Sequence, residues 1–221
     1  MSIELKKRIL TSILLLFLLI TMYFYSFIMI SALIIIAIII WIEFYALISK
    51  IIRRNKSKDI FFRFMFKAMS LLYLFLLVYF VFVIESYYPS LKLYLLYSVL
   101  VSILSDIGGL LFGKTFKGKK LTKISPNKTI SGSIGSFLLS LLLIPIFYEK
   151  LILYDLLTLT MITIVISFIS QLGDLFISFL KRKAKVKDTS DLLPGHGGLL
   201  DRVDGIIFAA PIGIFLLSFL N

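Results

Sequence analysis

The chain has 221 residues, of which 60% are hydrophobic, and it carries a formal net charge of +12. Soluble domains are about 45–50% apolar, and apolar runs longer than about 18 residues recur along this chain, which excludes an ordinary soluble domain and favours membrane-spanning helices. The lack of cysteine excludes disulfides and thiolate chemistry, and the single histidine excludes a multi-histidine metal centre, so a metal site would need carboxylates.

The apolar runs predict an all-α integral membrane bundle of about seven transmembrane helices. The first run covers 9–49 and is too long for one crossing, so we expect two spans with a turn near Tyr23 to Ser26. We interpret the first span as a signal anchor rather than a cleaved signal peptide. The spans are predicted at 9–25, 27–49, a third ending near Ile84, 91–112, 132–148, 151–180 and 205–220. They form one membrane domain, 1–221, with N-terminal spans at 1–97 and a catalytic half at 98–221.

Basic residues are concentrated between alternate spans. With a cytoplasmic N-terminus, the inside segments 1–8, 50–67, 113–131 and 181–204 hold 22 of the 24 Lys and Arg residues. This distribution follows the positive-inside rule, so the positive charge indicates topology and argues against a nucleic-acid partner.

The fourth and sixth spans each carry small polar side chains along one helical face. These residues are Ser98, Ser102, Ser105, Asp106 and Gly109 in the fourth span, and Ser167, Ser170, Gln171, Asp174 and Ser178 in the sixth. Serine stripes are usual in helix packing, but a carboxylate near the hydrocarbon costs about 2.5–3.5 kcal/mol and generally faces a cavity or a partner. Asp106 and Asp174 each lie seven residues before a basic loop, which predicts a polar pocket open to the cytosol. The alternative is that each acid pairs with a lysine or serine and only fixes packing, and we interpret Glu43 and Asp155 as packing or interfacial charges.

The loop at 113–131 is rich in glycine, lysine, serine and threonine. Such residues hold phosphate oxygens through amides, ammonium groups and hydroxyls, although the P-loop pattern is absent. Composition alone leaves two interpretations open, a phosphate site or a basic loop lying on anionic lipid.

The loop at 181–204 combines clustered lysines with Pro194, three glycines and four aspartates. The lysines can neutralise a triphosphate, and the glycines allow close approach of the backbone to a ligand. Asp201 and Asp204 fall on one face at the start of the last helix, where together with Asp174 they predict an oxygen-ligand site for a divalent metal. Capping of the helix dipole is the alternative for these two residues.

The segment Ser178 to Asp204 reads S-F-L-K-R-x4-K-D-x4-L-P-G-H-G-G-L-L-D-R-V-D, and it closely resembles the C-terminal signature of the phosphatidate cytidylyltransferase (CDP-diacylglycerol synthase) family. Upstream motifs fit the same family in the same order: Asp106, Phe112-Gly113-Lys114, Ser125-Pro126-Asn127-Lys128-Thr129 and Gly173-Asp174-Leu175. Before residue 98 only the multi-span character agrees.

The resemblance implies that phosphatidate attacks the α-phosphorus of CTP and that pyrophosphate leaves. It implies Mg²⁺ as cofactor, held by Asp174 and Asp201, with Asp188 and Asp204 in supporting catalytic roles and the identity of a second cation open. The substrate-binding residues it implies are Asp106, Lys114, Ser125, Asn127, Lys128, Thr129, Lys181, Arg182, Lys187, His196, Gly197 and Arg202.

The resemblance also implies a place and partners for the protein. We expect a multi-pass protein of the inner (plasma) membrane, with the N-terminus and active-site loops in the cytoplasm. The expected partners are CTP, phosphatidic acid and membrane lipids, and the family suggests a homodimer.

Two positions depart from the family pattern, since Ser131 and Ile177 stand where glutamates are usual. The N-terminal half also looks short for the family. Two alternative functions remain: a related CTP-dependent enzyme acting on an isoprenoid lipid phosphate or a polyprenol, and a small polytopic transporter, which would predict internal repeats.

Overall fold

The structure, a computed structural model, describes residues 3–53, 56–122, 125, 127–151, 154–195 and 197–219. In these residues the ordered elements are helical, apart from two isolated bridging pairs. The α-helices are α1 (Ile3–Phe24), α2 (Ser26–Ile51), α3 (Ser57–Tyr87), α4 (Lys92–Phe116), α5 (Ile130–Leu141), α6 (Ile144–Phe147), α7 (Leu156–Lys183) and α8 (Leu200–Phe219).

Six helical stretches in the described part of the chain are long and apolar enough to cross a membrane, with α5 and α6 counted together. The apolar part of α1, Ile9–Phe24, is shorter. The predicted all-α polytopic membrane fold is therefore confirmed.

The helices group into two compact units. One comprises Met1–Pro89 and Leu180–Arg202, and the other comprises Ser90–Phe179 and Val203–Asn221. We call them the first and second units; α7 and α8 contribute residues to both. The basic segment after α7 thus belongs with the N-terminal helices, while the prediction of one domain divided near residue 97 stays a prediction.

In the first unit, the predicted turn between the first two spans is confirmed. Helix α1 ends at Phe24, Tyr25 has an extended backbone, and α2 begins at Ser26. Helix α3 has 31 residues and a length of about 46 Å, which exceeds a hydrocarbon layer of about 30 Å. Because α3 begins at Ser57, Lys58 lies on its first turn rather than in the preceding loop.

In the second unit, the polar faces of α4 and α7 meet. Ser102 and Ser170 share a hydrogen bond of 2.7 Å between their hydroxyls, and Ser105 and Ser167 share one of 2.9 Å. All four side chains are fully buried. The serine stripes therefore hydrogen-bond across the helix pair, as polar residues in membrane bundles commonly do.

Helices α4 and α5 approach closely through glycine. A Cβ atom added at Gly108 would overlap the carbonyl oxygen of Gly135, and one added at Gly135 would overlap the ring of Phe112. Small residues permit this close backbone contact, which places the start of α5 beside α4.

The helix ends differ from the predicted spans by a few residues, and one difference affects the candidate site. Helix α4 continues to Phe116, so Gly113 and Lys114 lie on its last turn rather than in a loop. The sixth span is one uninterrupted helix, as expected, but α7 begins at Leu156 and runs to Lys183.

Candidate active site

The first candidate element lies in the second unit and is the loop between α4 and α5, residues 117–129, which we call the first basic loop. Its two ends pair through backbone bonds from Leu121 N–H to the Lys128 carbonyl (2.8 Å) and from Ile130 N–H to the Lys119 carbonyl (3.0 Å). The turn after α4 uses left-handed backbone at Lys117, with φ of 51°, and at Gly118, with φ of 110°. The described ends of the loop thus run side by side.

Thr129 joins the first basic loop to α5 as its N-cap. Its hydroxyl oxygen accepts the Gly132 N–H at 3.1 Å and lies 3.0 Å from the Ser131 hydroxyl. Ser131 also donates to the Lys117 carbonyl oxygen. The position where the family usually has glutamate therefore serves, in this chain, to close the loop onto its own backbone.

Lys128 and Asp174 form an ion pair in the second unit. Their side chains are 25% and 29% exposed, and Ser178 donates to the other Asp174 oxygen at 3.3 Å. On the same face of α7, Gln171 accepts a hydrogen bond from Ser133 at 2.5 Å. The predicted polar face of α7 is confirmed, and Asp174 has the lysine and serine neighbours of the packing alternative.

Asp106 does not share the buried face of the serines on α4. Ser98, Ser102 and Ser105 are fully buried, whereas Asp106 is exposed. Asp106 follows Ser102 by four residues, so it lies at the edge of the serine face rather than in its buried centre. Its substrate-binding role stays a prediction.

The second candidate element lies in the first unit and is the segment 184–199 between α7 and α8, which we call the signature loop. It leaves α7 through a Schellman motif, with Lys185 N–H bonded to the Arg182 carbonyl and Val186 N–H to the Lys181 carbonyl. Lys185 takes the left-handed position at φ of 58°, where glycine is more common.

Further along, Leu193 and Gly197 exchange two backbone hydrogen bonds of 2.8 and 3.1 Å. These bonds close a tight turn around Pro194 and Gly195. Gly197 has φ of 83°, and a Cβ atom there would lie 3.1 Å from that of Asp188, so the glycine allows both the backbone angle and the close approach.

Asp201 fastens the signature loop to the end of α7. One of its oxygens accepts the Lys181 ammonium at 2.6 Å, and the other accepts the backbone N–H groups of Thr189 at 2.8 Å and Gly198 at 3.1 Å. The Lys181 and Asp201 side chains are only 14% and 4% exposed. The bond to Gly198 resembles the return bond of a capping box, so the capping alternative describes part of what Asp201 does.

The remaining candidates lie at the surface, in buried positions or outside the described residues. The exposed ones are Lys114, Asn127, Arg182, Lys187, Asp188 and Arg202, while Ser125 and Gly197 are partly exposed. Asp204 is in the second unit, 4% exposed, and accepts the Gly205 N–H at 2.9 Å. His196 lies outside the described residues.

Glu43 on α2 is a site-related residue that the sequence did not reveal. It is 4% exposed and accepts hydrogen bonds from Thr189, Ser190, Leu199 and Leu200 of the first unit. The interpretation as a packing charge missed these contacts with the signature loop. The available signal was a lone carboxylate inside a long apolar run, because such a group requires a partner.

A divalent metal ion needs oxygen ligands that lie close together. The described residues hold no group of three or more His, Cys, Asp or Glu side chains suited to a metal. Mg²⁺, however, is usually bound through one or two carboxylates together with substrate phosphates, so single aspartates near basic residues fit that pattern. Asp174 belongs to the second unit and Asp201 to the first, and their joint ligation of a metal stays a prediction.

Comparison with known sequences gives a consistent picture. The profile of the cytidylyltransferase family matches residues 2–220 of the chain. A phosphatidate cytidylyltransferase of Staphylococcus haemolyticus is 43% identical over 122 residues, which cover 54% of this chain and 46% of the relative. Those of Bacillus subtilis and Rickettsia felis are 42% identical over 127 residues and 44% identical over 119 residues.

These two matches cover 57% and 50% of this chain, and 47% and 52% of the respective relatives. The chain thus spans about half the length of the curated relatives it matches. The similarity therefore bears on family membership more directly than on the activity of the whole protein.

Proposed function

The chain belongs to the cytidylyltransferase family, and from this membership we propose that it transfers a cytidylyl group from CTP to phosphatidate, giving CDP-diacylglycerol and pyrophosphate. The observation that carries the proposal is the segment from Ser178 to Asp204, whose sequence fits the family and whose signature loop is fastened by Asp201. The names of the similar bacterial proteins support the same substrate pair.

In the proposed reaction, a phosphate oxygen of phosphatidate attacks the α-phosphorus of CTP. The bond between that phosphorus and the bridging oxygen to the β-phosphate breaks, and pyrophosphate leaves with the bond electrons. Such a transfer needs positioning and charge stabilisation more than covalent help from the protein. Loops with fixed backbone and many basic side chains supply both.

The residues divide by their surroundings into those that fix structure and those that can reach a ligand. Lys181 is engaged with Asp201, so it helps to fix the loop as well as supplying positive charge. Arg182, Lys187 and Arg202 are exposed at the ends of and within the signature loop and are suited to bind triphosphate oxygens. Lys128, with Ser125 and Thr129, is the proposed phosphate-binding group of the first basic loop.

We assign Asp174 and Asp201 as Mg²⁺ ligands, with Asp188 and Asp204 as supporting acids. Bound Mg²⁺ would neutralise part of the triphosphate charge and stabilise the departing pyrophosphate. Each of the two carboxylates accepts a lysine ammonium, Lys128 for Asp174 and Lys181 for Asp201, and we propose that these lysines hold the acids in place for the substrate phosphates.

We also propose the membrane face on which the reaction occurs. The 22 of 24 basic residues that fall between alternate spans support an N-terminus and two loops on the cytoplasmic side of the plasma membrane. CTP then arrives from the cytosol while phosphatidate stays in the bilayer. We also propose that the chain forms a homodimer.

Pyrophosphate release by the purified chain tests this function. Protein in mixed micelles is given CTP, MgCl₂ and phosphatidate, with each component omitted in turn, and with polyprenyl phosphate and an isoprenoid-ether phosphatidate as alternative lipids. We expect release that requires CTP, Mg²⁺ and phosphatidate together. Release only with a polyprenyl or isoprenoid lipid would replace the substrate, and no release with any lipid would reject the function.

A further inference from the structure

Glu43 sits in α2, eight residues before the helix ends at Ile51, which is roughly 12 Å from that end. Its side chain is 4% exposed and lies in a helix whose neighbouring residues are mostly apolar. A carboxylate in this position is costly unless several donors reach it. The hydrogen-bond donors around the Glu43 carboxylate therefore indicate its role.

Each oxygen of Glu43 accepts one hydroxyl and one backbone N–H. Oε1 accepts Ser190 Oγ at 2.6 Å and Leu199 N–H at 3.0 Å. Oε2 accepts Thr189 Oγ1 at 2.9 Å and Leu200 N–H at 2.8 Å. Two of these donors precede the turn at Pro194 and Gly195, and the other two follow it. The Glu43 side chain therefore joins the two sides of this turn.

The two N–H groups stand at the start of α8, where backbone donors have no partner within the helix. A carboxylate is favourable there because the helix N-terminus carries partial positive charge. In most helices the capping acid is a neighbour in sequence, whereas Glu43 precedes Leu199 and Leu200 by 156 and 157 residues. Helix α2 thus fixes the start of the helix that carries Asp201.

Thr189 links Glu43 to Asp201 directly. Its hydroxyl lies 2.9 Å from Glu43 Oε2 and 3.0 Å from Asp201 Oδ2, and its backbone N–H donates to Asp201. A Cβ atom added at Gly198 would overlap Thr189 Oγ1 and lie 2.8 Å from Glu43 Oε2. The loop therefore packs directly on the Glu43 carboxylate, and position 198 has no space for a residue larger than glycine.

We propose that Glu43 is a positioning residue for cytidylyl transfer: it holds the signature loop and the first turn of α8 so that Asp201 keeps its orientation. This inference rests on the proposed function for its kinetic part, while its structural part stands on the contacts alone. Residues that hold a catalytic or metal-binding group commonly affect activity about 10- to 100-fold when they are replaced.

Glu43→Gln is the main variant, because glutamine keeps the shape but turns one acceptor into a donor that faces two donors. We expect kcat for CTP to fall about 10- to 100-fold per folded molecule, and Glu43→Asp, which keeps the carboxylate, to restore part of it. Ser190→Ala removes one of the four donors and should have a smaller effect. Glu85→Gln is the matched control, since Glu85 is a carboxylate on α3 that accepts from Ser26, away from the loop.

A spin label reports the loop without any need for turnover. The chain has no cysteine, so Asp191→Cys can place a label on the exposed part of the signature loop and Glu149→Cys a control label on an exposed turn. We expect Glu43→Gln to narrow the EPR lines of the label at position 191, because the loop moves more freely, and to leave those of the label at position 149 unchanged.

The two readouts separate the possible failures. Unchanged label mobility, or unchanged kcat in a folded Glu43→Gln protein, overturns the proposal; a fall only in the yield of folded protein reduces Glu43 to a stability residue and also overturns it. If the wild-type protein shows no turnover with any lipid, the proposed function fails and the label alone decides whether Glu43 anchors the loop. If Glu43→Gln does not fold, Ser190→Ala is subjected to the same two measurements, with smaller changes expected.

Discussion

The Lys181–Asp201 pair and the Lys128–Asp174 pair join the same residue types, but their surroundings differ. The Asp201 side chain is 4% exposed and also accepts two backbone N–H groups of the signature loop. The Asp174 side chain is 29% exposed and accepts, besides Lys128, a hydroxyl at 3.3 Å. The first pair is held by the chain around it, and the second is accessible to a ligand.

The difference in exposure between the two ion pairs indicates different roles for Asp201 and Asp174. Breaking a buried pair leaves an uncompensated charge and is expensive, whereas a partly exposed pair contributes little because water competes with it. Asp201 therefore combines a structural duty with its proposed chemistry. Lys128 can turn from Asp174 to a substrate phosphate at small cost, so replacement of Asp174 should affect activity far more than stability.

The largest effect on stability is expected for Asp201→Asn. The asparagine leaves the nearly buried Lys181 ammonium without a carboxylate, and we expect a loss of about 3–5 kcal/mol in the free energy of unfolding. Denaturant titration of the purified protein measures it, with the exposed Asp191→Asn as control. A loss below about 1 kcal/mol would show that the pair is not a structural fixture.

A second large effect is expected at Ile177, where the family usually has glutamate. Ile177 is 2% exposed on α7, so Ile177→Glu places a carboxylate in a buried position of an apolar helix and should cost about 2.5–3.5 kcal/mol without raising turnover. Ser131→Glu is the counterpart at a partly exposed position and should cost about 1 kcal/mol or less, the contribution of the one hydrogen bond to Lys117 that it loses. A gain of turnover in Ile177→Glu would contradict this expectation.

Asp174→Asn tests the partly exposed member of the two ion pairs. Because the pair with Lys128 is partly exposed, we expect a change of no more than about 1 kcal/mol in stability, together with a fall in kcat of about 100-fold if the carboxylate acts in the reaction. Unfolding and turnover are measured on the same preparation. A large loss of stability with normal kcat per folded molecule would make Asp174 a packing residue.

The smallest effect is expected for Lys128→Gln. The variant lacks one charge-assisted hydrogen bond from Lys128 to a phosphate, so KM for CTP should rise about tenfold. The free energy of unfolding should stay nearly constant. The exposed Lys120→Gln on the same loop is the matched control. Equal KM values for the two variants would argue against a specific phosphate contact at Lys128.

Much of the fold was predictable because helical periodicity is local. The turn at Tyr25 and the polar face of α7 that ends in Asp174 and Ser178 both appear as expected. Helical spacing also puts Ser102 and Ser170 on packing faces, and the structure joins them by a hydrogen bond. Spacing alone carries this information.

The rest required tertiary structure. Asp106 differs from Ser105 by one helical step, which is enough to leave the buried face. Lys114 follows a glycine that suggests a helix end, yet α4 continues past it. The contacts of Glu43 depend on residues at least 146 positions away, so the local pattern indicates that this carboxylate needs a partner but not which residues supply it.

The most direct test of the central claim follows the two labels of CTP through one turnover. The purified chain is given phosphatidate with either α-³²P- or γ-³²P-labelled CTP, and lipid and aqueous products are separated. The account predicts that the α-label enters a lipid that migrates as CDP-diacylglycerol, that the γ-label appears in pyrophosphate in equal amount, and that Asp201→Asn abolishes both. An α-label that stays in the aqueous phase, or label transfer that persists undiminished in folded Asp201→Asn, would contradict it.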